Sequence, residues 1–66
     1  MKLSDAQQKI SEIIAAEVRR SKGYSHNRSV QLKALIAESQ KYTKQSANLD
    51  KAKAFLLKIE RFAKEM

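Results

Sequence analysis

Cysteine and proline are absent from this chain of 66 residues, tryptophan is absent too, and glycine occurs once, at position 23. Without cysteine there is neither a disulfide framework nor a thiolate metal site. Without proline, and with a single glycine, the punctuation of hairpin-rich, collagenous or linker-like chains is missing, which leaves long helices as the favoured local structure. Long apolar runs are lacking as well. The longest stretches, Ile13 to Ala16 and Ala54 to Leu57 among them, are four residues each, against about 20 for a membrane span. The polar opening MKLSDAQQK offers no secretory apolar region, so the expected compartment is the cytoplasm.

Catalytic patterns are equally sparse. His26 is the sole histidine, with no cysteine to form a dyad and no second histidine to share a metal. The glutamates Glu12, Glu17, Glu38, Glu60 and Glu65 are dispersed along the chain, and no glycine-rich phosphate loop exists. The sequence therefore predicts a non-enzyme with no cofactor and no metal. Strand-based nucleic-acid readers need alternating β patterns that are missing, and zinc fingers need cysteines. A DNA-reading helix-turn-helix needs a small residue about four positions before its turn glycine, where this chain has Arg19.

What the chain does have is helical periodicity in three segments, predicting a single all-α domain over 1-66. The expected architecture is a small three-helix bundle with helices at about 4-22, 27-45 and 48-65, completed by self-association because so short a chain has only a modest core. In the first helix Ser4 is a candidate cap, with Gln7 at the capping-box spacing and Asp5 in the first turn. Its apolar residues recur at Ala6, Ile10, Ile13, Ile14 and Val18, and Gly23 is placed to end it in the left-handed conformation. The second helix has candidate starts at Ser25, Asn27 and Ser29, an apolar arc through Leu32, Leu35, Ile36, Ser39, Tyr42 and Thr43, and an end near Lys44 or Gln45. The brief gap to Asn48 predicts antiparallel neighbours. The third helix is capped by Asn48 and carries Leu49, Ala52, Leu56, Ile59, Ala63 and Met66 at spacings of three and four, flanked by Phe55 and Phe62.

Fourteen lysines and arginines against seven aspartates and glutamates give a net charge of +7. Between Arg19 and Lys53 nine cations face only Glu38 and Asp50, so the whole excess lies in that stretch. A second helix reaching residue 45 would place Lys33, Gln40 and Lys44 on one outer arc with Lys41 at its edge. The segment RRSKGYSHNRS joins a cationic helix end to a helix start. There Arg19, Arg20, Lys22 and Arg28 can meet phosphates, Ser25, Asn27 and Ser29 can hydrogen-bond them, and Tyr24 can stack on a base. The structural alternative is that the hydroxyls cap the helix, the cations complement the preceding dipole, and Tyr24 packs over the bundle end.

Two positions break the amphipathic pattern. Glu17 falls within the arc of Ile10, Ile13 and Ile14, and its expected place is the bundle rim. Leu57 lies opposite the third helix's apolar stripe and is a candidate partner contact. The function expected from these features is binding to a nucleic-acid backbone, DNA or RNA, through Arg19, Arg20, Lys22, Tyr24, Ser25, Asn27, Arg28, Lys33, Lys41 and Lys44, with little sequence specificity. The alternative is a small phage- or plasmid-type regulator or inhibitor that docks on an acidic protein surface. A membrane-surface helix is a third class, disfavoured by the absence of tryptophan.

Overall fold

The computed structural model describes residues 1-44 and 46-65. Among these residues the chain forms three α-helices and no strand: α1 (Leu3–Arg20), α2 (His26–Ser39) and α3 (Leu49–Lys64), with a single 3₁₀ turn at Ser21–Gly23 between the first two. The expected all-α three-helix bundle is the fold observed. No helix among the described residues is long and apolar enough to cross a membrane.

Each helix is bounded by identifiable chemistry. Helix α1 starts two residues earlier than the Ser4 cap would place it, with Lys2 as the flanking residue and the Lys2 backbone N–H donating to Asp5 Oδ2 at 3.4 Å. Gln7 does not complete a capping box with Ser4. Its Nε2 instead donates across the bundle to the carbonyls of Tyr42 (3.0 Å) and Lys44 (2.8 Å). Arg19 and Arg20 occupy the last turn, where the negative end of the helix dipole favours cations. In α2 the hydroxyl of Ser25 accepts the Arg28 backbone N–H at 3.3 Å, which selects the first of the three candidate starts. In α3 the side chain of Asn48 accepts the Asp50 N–H at 2.8 Å, as the sequence predicts.

Gly23 does not act as a left-handed terminator, because no glycine of the described chain has positive φ. A 3₁₀ turn with the Tyr24 N–H donating to Ser21 O at 3.0 Å ends the first helical segment instead.

Helix α2 stops at Ser39, short of the expected end near Lys44, while Gln45, the other expected end point, lies outside the described residues. Past Ser39 the chain tightens into turns, with Lys41 N–H donating to Glu38 O and Tyr42 N–H to Ser39 O, each at 3.0 Å. The cause is tertiary. Tyr42 stacks on Phe55 of α3 with ring centroids 4.9 Å apart, and Gln7 holds the carbonyls of Tyr42 and Lys44. These attachments hold the segment after Ser39 against α3 and the start of α1. Lys41 and Lys44 therefore lie beyond α2, and the outer arc shared with Lys33 and Gln40 does not form.

The core consists of Ala6 and Ile10 from α1, Leu32 and Leu35 from α2, and Ala52, Phe55, Leu56, Ile59 and Phe62 from α3. Of the stripe expected on α3, Met66 lies outside the described residues. On α1, Val18 does not join the core and is 47 % exposed. The chain runs up, down and up, so α2 is antiparallel to both neighbours. Arg28 at its start reaches the Phe62 carbonyl near the end of α3. Helices α1 and α3 share the largest interface. Between α2 and α3 the packing is looser and leaves an open groove of about 620 Å³.

Two stability measurements follow from this packing. Ile59 is 1 % exposed, and Ile59→Ala should destabilise the fold by about 2–5 kcal/mol in urea denaturation. Gly23→Ala should have the opposite sign. A Cβ there meets nothing within 4 Å and the backbone is not left-handed, so restricting the unfolded chain should stabilise by about 0.4–1 kcal/mol.

Candidate nucleic-acid interface

The cationic segment begins in the last turn of α1 and continues through the 3₁₀ turn into α2. Arg19, Arg20 and Lys22 are exposed, and the connecting turn keeps them close to Ser25 and Asn27. Ser25 caps α2, while Asn27 is exposed in the first turn of that helix, which contains no acidic residue. These five residues form one contiguous end of the bundle.

Tyr24 and Arg28, drawn from the same segment, are turned inward. The Tyr24 hydroxyl donates to the Glu17 carboxylate, and its ring meets Phe62 edge to face with centroids 6.3 Å apart. The Arg28 guanidinium lies 4.8 Å from the Tyr24 ring centroid and 4.1 Å from that of Phe62, within range of cation–π attraction to both. Its terminal nitrogen donates to the Phe62 carbonyl at 2.6 Å. Together these contacts tie the start of α2 to the end of α3.

Glu17 is not at the rim. It is 2 % exposed, among the most completely buried side chains of the described structure. One carboxylate oxygen accepts from Tyr24, while Oε1 has no hydrogen-bond partner, and Arg28 Nε is likewise buried without one. Burial raises the pKa of the Tyr24 phenol above its ordinary value, and the hydrogen bond and negative charge of Glu17 raise it further, while Arg28 opposes the rise. The signal for this arrangement was present in the sequence as a carboxylate inside an apolar arc. What the sequence did not supply was its partner, because Tyr24 reaches Glu17 only once the 3₁₀ turn has folded the chain back.

The remaining candidates are scattered. Lys33 is exposed on α2. Lys41 and Lys44 are exposed beyond the end of α2 and close to the start of α1, as the bond from Gln7 to the Lys44 carbonyl requires. The 18 residues of α1 separate them from Arg19 by about 25 Å at 1.5 Å per residue. Leu57 is 59 % exposed on α3 and borders the open groove against α2. The one ion pair among the described residues joins Lys58 to Glu38 at 3.1 Å, so none of the nine cations from Arg19 to Lys53 is salt-bridged there.

No protein-family model matches the chain, and neither a curated protein nor a solved structure is significantly similar to it.

Removing the Tyr24 hydroxyl should leave the Glu17 carboxylate buried with no donor. Tyr24→Phe should therefore lower stability by about 1–3 kcal/mol in urea denaturation, with helical content unchanged by circular dichroism. The pH dependence has a defined sign. Because the folded state holds the phenolic proton more tightly than the unfolded chain, this contribution is complete below the unfolded pKa of about 10 and is lost as pH rises through the higher folded value. As pH rises from about 10 upward, the wild type should lose more stability than Tyr24→Phe.

Proposed function

We propose that the protein binds the phosphate backbone of nucleic acid, with little base specificity, through the end of the bundle that carries Arg19, Arg20 and Lys22. The observation that supports this reading is electrostatic. All of the net charge of +7 falls between Arg19 and Lys53, and no carboxylate pairs with those cations among the described residues. An un-neutralised cationic surface attracts polyanions and releases their condensed counterions on contact.

Roles divide according to orientation. Arg19, Arg20 and Lys22 make the phosphate contacts, and the exposed Asn27 adds a hydrogen-bonding group beside them. Tyr24 and Arg28 support the turn from within, and Ser25 fixes the start of α2. Lys33, Lys41 and Lys44 widen the cationic field. Lys41 and Lys44 lie at the far end of the bundle, so they engage only a strand long enough to follow its length. Binding of this kind reads backbone charge and spacing, which carry little sequence information.

Fluorescence anisotropy with a mixed-sequence duplex and a single strand, repeated over a range of salt, tests the proposal. The log–log salt slope should be negative for the wild type. It should become shallower by about 2 to 3 for duplex DNA in the triple variant Arg19→Ala, Arg20→Ala, Lys22→Ala, since each lost phosphate contact removes about 0.9. The pair Lys2→Ala, Lys9→Ala, outside the cationic stretch, should change the slope less. Equal affinity and slope for wild type and triple variant would falsify the assignment.

A further inference from the structure

A smaller cavity lies where the chain leaves α2 and turns into α3. It measures about 400 Å³, with Glu38 and Tyr42 on one side and Lys51, Ala54, Phe55 and Lys58 of α3 on the other. It shares Glu38, Ala54 and Lys58 with the larger groove but takes in neither Leu57 nor Phe62. Their spacing puts Lys51, Ala54 and Lys58 on one face of α3, with the two lysines about 10 Å apart along the axis at 1.5 Å per residue. Ala54 between them is small and exposed. The Tyr42 ring stacks on Phe55 and stays partly open to solvent. Gln7 holds the Tyr42 carbonyl at 3.0 Å, so the backbone that carries the ring is fixed before anything binds.

We propose that this cavity takes an unpaired base of a single-stranded nucleic acid, with the base against the Tyr42 ring and an adjoining phosphate on Lys51. The proposal rests on the phosphate-binding reading above and narrows it to single strands, because a base inside a closed duplex is already stacked on both faces. An aromatic ring and a cation in one small cavity match the two things every nucleotide presents, a flat π face and an anion. Glu38 is neutralised by Lys58 at 3.1 Å. Lys51 is left as the uncompensated charge of the lining among the described residues, and the Glu38 carboxylate remains an acceptor for the amino groups that bases carry. An apolar side chain of a partner would use the ring and leave Lys51 unmatched, whereas a bare polyanion would use Lys51 and leave the ring unmatched. A strand reaching from this cavity to Arg19, Arg20 and Lys22 covers about 25 Å, or about seven nucleotides at 3.4 Å each.

Tyrosine emission tests the proposal directly. The chain has two tyrosines and no tryptophan, so Tyr24→Phe leaves Tyr42 as the sole emitter. A mixed-sequence strand of 12 nucleotides, about 41 Å long when stacked, outreaches the 33 Å molecule. It should quench Tyr42 saturably, while a blunt duplex of the same sequence and inorganic polyphosphate should not. In the wild-type background, Tyr42→Leu should weaken single-strand binding about tenfold and change duplex binding by less than about twofold, whereas Tyr42→Phe, which keeps the ring, should stay within about twofold for both. Circular dichroism should show these variants folded. Lys51→Ala, at an exposed position, probes the cavity without touching the stack, and should make the log–log salt slope for the single strand shallower by about 0.7. Quenching that is equal for the duplex or for polyphosphate, or absent while anisotropy shows the strand bound, overturns the assignment and leaves phosphate binding standing. Failure of every nucleic acid to bind overturns both.

Discussion

The burial of Glu17 constrains everything around it. A carboxylate taken out of water destabilises a fold unless donors replace the lost hydration. Here the Tyr24 hydroxyl is the donor, and Tyr24 can reach only because the 3₁₀ turn at Ser21–Gly23 reverses the chain within a few residues. Once placed, the tyrosine ring presents one edge to Phe62 and one face to Arg28. Arg28 in turn closes on the Phe62 carbonyl. A single polar side chain in α1 thereby fixes the start of α2 and the end of α3. With nine buried apolar side chains among the described residues, such a clasp compensates for limited core area.

The clasp also sorts the cationic segment. Of the residues between Arg19 and Arg28, it takes Tyr24 and Arg28 inward and leaves Arg19, Arg20 and Lys22 outward. Sequence proximity alone gives no basis for that division, since Arg19 and Arg28 carry the same charge and both lie at helix ends. What separates them is reach. Arg28 sits on the face of α2 turned toward α3, within range of two aromatic rings, whereas Arg19 projects from the side of α1 opposite Ile10. An arginine stacked on aromatic rings and bonded to a backbone carbonyl is a structural element as much as a charge.

How much of the fold was legible depended on whether the determining contacts were local. Helix α3 was read closely, because Asn48, Asp50 and an unbroken apolar spacing all lie within its own sequence. The existence of three helices followed from the same periodicity, with no proline or second glycine to contradict it. The end of α2 was not legible. Ser39 to Lys44 contains no helix breaker, and the helix stops because Tyr42 finds Phe55 and because Gln7, 35 residues earlier, takes the Tyr42 carbonyl. Gln7 itself suited a local capping role, and a long-range one prevailed. Gly23 was misread for a related reason: a glycine after a helix favours the left-handed conformation statistically, yet a following 3₁₀ turn can end the helix without it. The interface residues were legible as a charge cluster, while their orientation depended on the buried contacts of Glu17.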